Sequence, residues 1–282
     1  MQTAILTAIA MIAFAANSLL CRLALGDETI DAASFTTVRV TSGALFLALI
    51  MIPRWRSKGR APVEWRSAAM LFTYMVFFSF AYLSLSAGTG ALLLFGAVQL
   101  TMFVVALRRG ETFPALAWIG LGLAAAGIVY LVSPGVTAPD PLGAGLMIVA
   151  GIAWGFYSLL GRSASDPLES TASNFILSVP LVLGVSLAFA GDFHISTRGL
   201  ALAVASGVLA SGLGYVIWYA ALRGLRATSA ATVQLSVPVI AAIGGVIFLA
   251  EDVTARLVVA SFATLGGIAL VLLQKTKTAK RT

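Results

Sequence analysis

The sequence predicts an all-α polytopic membrane protein, and three observations support that prediction. Hydrophobic residues make up 60% of the 282 residues and charged residues only 10%, whereas soluble domains carry roughly 25% charged residues. The hydrophobic residues form ten stretches of about 20 residues, the length at which a helix crosses a bilayer core. All 11 Asp and Glu residues lie between these stretches. Because the connecting segments are short, we expect one membrane domain over residues 1–282.

The ten transmembrane helices are predicted at the hydrophobic stretches themselves. These spans are residues 3–25, 33–53, 67–86, 90–107, 114–133, 143–161, 170–190, 198–222, 228–249 and 254–273. The first span lacks a basic leader and a small-residue cleavage site, so we expect it to be retained rather than removed as a signal peptide.

The distribution of basic residues predicts the orientation. With the N-terminus in the cytoplasm, 14 of the 18 Lys and Arg residues fall on the cytoplasmic side. Only Arg22, Arg198 and Arg256 fall on the other side, and Arg39 lies inside a span. Cytoplasmic loops carry an excess of Lys and Arg, so both termini are expected in the cytoplasm. The net charge of +7 is then explained by loops near anionic lipid, and no nucleic-acid partner is expected.

An internal repeat appears when the chain is shifted by 140 residues. Residues 18–22 (Ser-Leu-Leu-Cys-Arg) then meet residues 158–162 (Ser-Leu-Leu-Gly-Arg), and Glu111 meets Glu251. Matches between Ala and Leu are common in such a composition, but this block and this single Glu pair at one shift are not. The pattern indicates two related halves.

The two halves are predicted to be inverted relative to each other. Repeat A covers residues 3–133, repeat B covers residues 143–273, and residues 134–142 link them. Each half has five spans, an odd number, so the second half enters the membrane from the opposite side. Inverted repeats enclose a central cavity near the midplane and allow alternating access. The open alternative is a duplication that survives in a static protein.

Several short motifs in both halves resemble a known family. They are residues 14–18 (Phe-Ala-Ala-Asn-Ser), residues 154–158 (Trp-Gly-Phe-Tyr-Ser), Ala220-Ala221-Leu222, Ala230, Pro238 and Ala250-Glu251. With them the whole chain resembles the ten-helix, EamA-type members of the drug/metabolite transporter superfamily. Within that superfamily it is most similar to the YddG-type aromatic amino acid exporters of bacteria. It departs from the usual pattern at Phe14, where Trp is common, and at Val98, where a counterpart of Pro238 is expected.

The resemblance implies a fold, a function and a location. Spans 1, 3, 4, 6, 8 and 9 would line a central cavity, and spans 5 and 10 would lie outside it. Bending or rocking of the 3–4 and 8–9 pairs would give alternating access. The function implied is export of amino acids, including aromatic ones, across the bacterial inner membrane. The two fused halves make a monomer sufficient, and the partners are the lipid bilayer and a small amphipathic substrate.

Polar and aromatic side chains within the spans are the candidates for substrate contact, because in lipid they must face the protein interior or a wet cavity. They are Asn17, Arg39, Tyr74, Ser79, Tyr82, Gln99, Trp154, Tyr157, Ser158, Tyr215, Trp218 and Gln234. Aromatic walls can stack an apolar group or hold an ammonium group, and amides and hydroxyls can satisfy charged ends. The set suits an amphipathic zwitterion. The alternatives are interfacial aromatic belts and hydrogen bonds between helices.

One charge and three backbone positions complete the candidates. Arg39 lies about six residues inside the outer end of span 2, roughly 9 Å deep. It could bind a substrate carboxylate, pack in the interior, or snorkel to the interface. Pro238 frees the carbonyl oxygen of Gln234 and could act as a hinge. Gly88 and Gly90, which flank the predicted turn between spans 3 and 4, are further hinge candidates.

The residues absent from the spans argue against several functions. The sole histidine, His194, lies in a predicted outer loop with Asp192, so no metal site and no cofactor are expected. Without His, Asp or Glu inside a span, neither an intramembrane enzyme nor proton antiport through a buried carboxylate is expected. A channel or receptor, and an exporter of other amphipathic metabolites or drugs, remain as alternatives.

Overall fold

The computed structural model describes residues 2–58, 64–161, 164–225 and 227–279. These residues form a bundle of ten long helices. Within these residues the only β-type pairing is an isolated antiparallel bridge between Ile30 and Ile195. Arg60, Arg162, Arg226, Lys280 and Arg281, which entered the charge and repeat arguments, lie outside the described residues. The helices are α1 (Gln2–Gly26), α2 (Ala32–Lys58), α3 (Trp65–Ala81), α4 (Ala87–Arg108), α5 (Ala115–Val132), α6 (Pro141–Gly161), α7 (Pro167–Ala188), α8 (Thr197–Leu222), α9 (Ala227–Gln234 and Ser236–Leu249) and α10 (Ala255–Ala279).

The prediction of an all-α polytopic membrane protein is confirmed. In the part of the chain that the structure describes, nine helices are long and apolar enough to cross a membrane. The remaining helix, α3, has 17 residues and a similarly apolar sequence. Since short connections join consecutive helices, neighbours along the chain run in opposite directions. We call the end where α4, α6 and α8 finish the mouth end, and the opposite end the sealed end.

The predicted boundary of span 3 is wrong, because α3 ends at Ala81 rather than near residue 86. The next residues turn instead: the amides of Leu83 and Ser84 donate to the carbonyls of Phe80 and Ala81. Ser86 then caps α4, with its hydroxyl accepting from the amide of Thr89 at 3.3 Å, as N-cap serines commonly do. Helix α4 therefore begins at Ala87, three residues before the predicted start.

This earlier start places Gly88 and Gly90 inside α4, where they no longer flank the turn as predicted. Both are buried, and each lies where a neighbour comes close. A Cβ on Gly88 would lie 2.8 Å from the Cβ of Ala242 in α9, and one on Gly90 would lie 2.5 Å from the ring of Tyr82. The structure thus gives these glycines a packing role, and their action as hinges stays a prediction.

Helix α9 is interrupted close to Pro238. Its two segments end at Gln234 and begin at Ser236, and the amide of Leu235 between them donates to the carbonyl of Thr232 at 3.1 Å. Proline has no amide hydrogen and its ring crowds the carbonyl four residues earlier, which here belongs to Gln234. The local break follows from that chemistry. Whether it acts as a hinge stays a prediction.

Helices α5 and α10 pack side by side, and glycines bring their backbones together. A Cβ on Gly267 would collide with the carbonyl oxygen of Gly120 and lie 2.6 Å from the amide nitrogen of Ala124. The neighbouring Gly266 has nothing within 4 Å of its Cβ position. Small residues commonly allow such close approach between membrane helices.

Gly267→Ala is therefore expected to destabilise the protein by about 1–3 kcal/mol, the usual cost of overpacking a close contact. The matched control is Gly266→Ala, which should be neutral or slightly stabilising, because alanine is favoured over glycine in helices by roughly 0.5–1 kcal/mol. Thermal unfolding of the purified variants, followed by circular dichroism, measures the difference. Equal midpoints for the two variants would contradict the close α5–α10 contact.

Candidate functional site

A cavity of about 620 Å³ enters the bundle from the mouth end, within the range of about 300–1,000 Å³ that small-molecule sites occupy. Its entrance includes Arg109, Glu111 and Leu222, and its walls continue inward to Asn17, Tyr74 and Phe78. Helices α1, α3, α4, α6, α8 and α9 all contribute, as the family resemblance implies. Helices α7 and α10 contribute as well, through Thr171 and Leu272 among others, so the expectation that span 10 lies wholly outside is wrong.

Aromatic rings form one wall of the cavity, with Trp154 at their centre. The centroid of its ring lies 4.7 Å from that of Tyr74, 5.3 Å from that of Tyr157 and 5.8 Å from that of Tyr215. The ring of Phe14 lies 5.9 Å from that of Tyr215. Ring faces such as these can stack an apolar group or hold a cation.

The predicted repeat pairs several residues of α1 and α6 that line this cavity. The positions 140 residues apart are Phe14 and Trp154, Asn17 and Tyr157, and Ser18 and Ser158. All six side chains line the cavity. The two helices therefore present positions with the same 140-residue spacing to one shared space.

A chain of buried hydrogen bonds links four helices at the inner end of the cavity. The hydroxyl of Ser206 in α8 donates to Oδ1 of Asn17 at 2.6 Å, and Nδ2 of Asn17 donates to the hydroxyl of Tyr74 at 3.4 Å. Nη2 of Arg39 donates to the same hydroxyl at 3.3 Å. Ser206 begins a π-helical segment, Ser206–Leu213, a departure from α-helix that often marks functional sites.

Arg39 does not snorkel, because its side chain points into the bundle and the residue is only 1% exposed. The guanidinium carbon lies 5.6 Å from the ring centroid of Tyr74 and 5.0 Å from that of Phe78. These two rings line the cavity, whereas Arg39 does not. The guanidinium thus lies behind one layer of aromatic side chains.

Nine of the twelve predicted substrate-contact residues line the cavity. They are Asn17, Tyr74, Gln99, Trp154, Tyr157, Ser158, Tyr215, Trp218 and Gln234. Besides Arg39, the exceptions are Ser79 and Tyr82, which lie nearer the sealed end in fully buried positions. The hydroxyl of Ser79 donates to the carbonyl of Met75 at 3.0 Å, and that of Tyr82 donates to the carbonyl of Ala87 at 3.3 Å. In this conformation both are packing residues; substrate contact by any of the twelve stays a prediction.

The sealed end is closed by contacts among Arg22, Glu251 and the backbone amide of Ala87. We call these three groups the latch. Nε of Arg22 lies 3.4 Å from Oε1 of Glu251. Nη1 of Arg22 donates to the carbonyls of Tyr82 and Leu83 at 3.2 and 3.3 Å. The carboxylate of Glu251 accepts from the amide of Ala87 at 2.9 Å. The latch thus joins α1, the α3–α4 turn, the start of α4 and the loop after α9.

The backbone holds Glu251 in this position at some cost. Ala250, the residue before it, adopts a left-handed conformation with φ of 52°, which costs roughly 1–2 kcal/mol for a residue other than glycine. Burial raises the pKa of Glu251 above its ordinary value, while the Ala87 amide and the Arg22 guanidinium act to lower it. The effect of burial on this pKa thus outweighs the opposing effect of its two partners.

The carboxylates all lie at the ends of the helices. Each of the 11 Asp and Glu residues is in a connection, at a helix cap or in a first turn; Asp31, for example, accepts from the amide of Ser34 at 2.8 Å at the start of α2. The described residues also contain no group of three or more His, Cys, Asp or Glu side chains that could hold a metal ion.

Comparisons with known proteins point to one family. A family profile described as the EamA-like transporter family matches residues 141–273, in the second half of the chain. The chain is 52% identical over 271 residues to an uncharacterized protein of Pseudomonas aeruginosa, and the alignment covers 96% of this chain and 94% of that protein. The second half of the chain is therefore similar to the EamA-like transporters.

More distant relatives match over most of the length of this chain. An uncharacterized transporter of Archaeoglobus fulgidus is 26% identical over 283 residues, covering 95% of this chain and 96% of its own. The threonine/homoserine exporter RhtA of Salmonella typhimurium is 28% identical over 236 residues, covering 80% and 76%. A protein crystal structure aligns with a TM-score of 0.65 at 18% identity, covering 95% of this chain and 97% of that one, and supports the fold alone.

Sequence reasoning missed two features of this site. Thr171 in α7 lines the cavity and bonds the hydroxyls of Tyr157 and Tyr219 at 3.3 and 2.8 Å; as a threonine near a predicted helix start it gave no signal. The latch did leave a signal. Arg22 and Glu251 both belong to the matches at the 140-residue shift. On their own, however, those matches indicate only an internal repeat.

Proposed function

We propose that this protein exports amino acids by alternating access across the bacterial inner membrane. The observation that carries the proposal is the cavity itself, which ends blindly among aromatic, amide and hydroxyl groups and whose charged residues, Arg109 and Glu111, lie at its entrance. Such walls suit a zwitterion with an apolar part, since rings can hold both the ammonium group and the side chain. The similarity to an exporter of threonine and homoserine favours the amino acid class, and the rings favour including aromatic amino acids.

The pairing of helices supports a second conformation. If the two five-helix halves exchanged roles, the packed pair α3–α6 would correspond to α8–α1, and the pair α4–α6 would correspond to α9–α1. All four pairs are in contact in the structure. The pairs α2–α7, α4–α9 and α5–α10 each map onto themselves and also occur. A bundle whose halves can exchange roles can close the present entrance and open the present sealed end. Glu111, the repeat counterpart of Glu251, stands at that entrance.

The charge distribution supports the direction of transport. Described basic residues at the mouth end include Arg54, Arg56, Arg66, Arg108 and Arg223. If basic loops are cytoplasmic, the present cavity faces the cytoplasm, where an exported amino acid is loaded. Opening of the latch would then release it on the other side.

Counterflow in proteoliposomes tests the proposal. Vesicles containing purified protein are loaded with unlabelled threonine or phenylalanine, and uptake of the radiolabelled amino acid is followed with and without a proton gradient. We expect saturable counterflow that needs no proton gradient, because every Asp and Glu among the described residues lies in a connection or at the end of a helix rather than in its middle. Competition by the remaining amino acids and by amphipathic amines then defines the substrate class.

Three results would argue against the proposal. Flux that rises linearly with concentration would indicate a channel. Strict dependence on a proton gradient would show that the acidic residues at the helix ends couple transport after all. Competition by amphipathic amines, but by no amino acid, would move the protein to export of other metabolites or drugs. Vesicles without protein give the leak that each measurement subtracts.

A further inference from the structure

Arg39 has donors that nothing in the protein satisfies. Its Nε and Nη1 are the only buried side-chain polar atoms without a hydrogen-bond partner in the part of the chain that the structure describes. The residue is 1% exposed, so bulk water does not replace the missing partners. Of the three guanidinium nitrogens, only Nη2 has a protein partner, the hydroxyl of Tyr74.

The charge of Arg39 is also unmatched. An arginine side chain stays charged in proteins, and buried charges are normally paired, because removing an ion from water is costly. The ion pairs among the described residues are Arg22–Glu251, Arg54–Asp166 and Arg198–Asp27, and none of them includes Arg39. The rings of Tyr74 and Phe78 offer a favourable electrostatic contact but accept no conventional hydrogen bond from Nε or Nη1. The unpaired donors and the charge of Arg39 together fit the chemistry of an anion.

The position of Arg39 connects it to the cavity. Tyr74 and Phe78 separate the guanidinium from the cavity and line the cavity with their other sides. Tyr74 is held there by hydrogen bonds to Asn17 and to Arg39 itself. A rotation of these two side chains would therefore expose Nε and Nη1 to a ligand that has entered as far as Asn17.

We propose that Arg39 is an anion receptor at the inner end of the cavity, and that the anion is a carboxylate. This inference rests on the proposed transport of amino acids and assigns the two ends of the substrate. The α-carboxylate reaches Arg39 as Tyr74 and Phe78 move aside, and the ammonium group stays among the rings around Trp154. A small inorganic anion such as chloride has the same chemistry for this site, and the experiment separates the two sources.

Binding by the purified protein in nanodiscs tests the site directly. Quenching of tryptophan fluorescence reports on the cavity, because Trp154 and Trp218 line it. The first arm compares phenylalanine with phenethylamine, which lacks only the carboxylate. The second arm titrates sodium acetate and sodium chloride, with the sodium salt of HEPES, a bulky sulfonate without a carboxylate, as the ionic-strength reference, and follows both fluorescence and the unfolding midpoint.

The variants are Arg39→Met, which removes the charge and keeps much of the length, and Arg39→Lys, which keeps the charge. Arg198→Met is the matched control, since Arg198 is an exposed arginine paired with Asp27 at the sealed end. Wild type and Arg198→Met should bind phenylalanine at least about tenfold tighter than phenethylamine, or about 1.4 kcal/mol. Arg39→Met should bind the two alike, and Arg39→Lys should keep part of the preference.

The arms also separate the possible failures. If neither phenylalanine nor the amine binds, the proposed substrate is wrong, but an anion that stabilises wild type and not Arg39→Met still supports the receptor. Stabilisation by acetate then identifies a carboxylate ligand, and stabilisation by chloride alone identifies an inorganic anion. The receptor is overturned if Arg39→Met keeps the wild-type preference for the acid. It is equally overturned if neither acetate nor chloride stabilises the wild type beyond the HEPES reference, a result that needs no variant to fold.

Discussion

Trp154→Ala is expected to lower the rate of amino acid counterflow at least about tenfold at substrate concentrations below KM, equivalent to about 1.4 kcal/mol. Its ring is in contact with those of Tyr74, Tyr157 and Tyr215, and each such aromatic contact contributes roughly 0.5–1.5 kcal/mol. Removing it takes away the central binding surface and loosens the three neighbours. The effect should appear mainly as a raised KM, measured from the concentration dependence of counterflow.

Trp65→Ala is the matched control, because Trp65 lies at the start of α3 and is 61% exposed. It should transport at the wild-type rate. Gln99→Ala removes an amide from the cavity lining and should also weaken transport, with a smaller rise in KM than Trp154→Ala. Unchanged kinetics in both cavity variants would show that the substrate does not bind in this cavity.

The parts of the structure that were predictable from sequence are those fixed by local chemistry. Hydropathy located all ten helices, because a spanning helix must satisfy its own backbone in lipid. Pro238 predicted disturbance of α9, since its missing amide acts on the same helix. The rule that polar and aromatic side chains within a span face the interior or a wet cavity singled out Asn17 and Trp154, and both line the cavity.

The parts that were not predictable depend on which helices are neighbours. Tyr82 has the same chemistry as Tyr74, but packing against the start of α4 places it outside the cavity. Arg39 could have faced lipid or the interior, and only the position of α3 beside α2 decides. A sequence shows that a side chain is polar, whereas the tertiary packing determines whether it faces substrate, another helix or the interface.

Opening of the latch should make the single cysteine accessible from outside. Cys21 is fully buried and adjoins Arg22 in α1, so a membrane-impermeant maleimide should label the wild type slowly. In Arg22→Glu, two carboxylates would face each other where a guanidinium and a carboxylate now pair. The repulsion should favour the conformation open at the sealed end and raise the rate of Cys21 labelling at least about tenfold, a shift of about 1.4 kcal/mol. Mass spectrometry of the protein after timed labelling measures the rate.

Charge reversal on both partners distinguishes opening from an effect on the thiol alone. Glu251→Arg changes the local charge in the opposite direction from Arg22→Glu but also replaces attraction with repulsion, so it too should increase labelling. Combining the two reversals restores an attractive pair and should return the rate towards the wild type. Arg198→Glu breaks a more exposed ion pair at the same end, the pair with Asp27. This variant should leave the rate of Cys21 labelling unchanged, because exposed ion pairs contribute little to stability. If the two single reversals change labelling in opposite directions, the rate follows the reactivity of the thiol, and the latch does not control the opening.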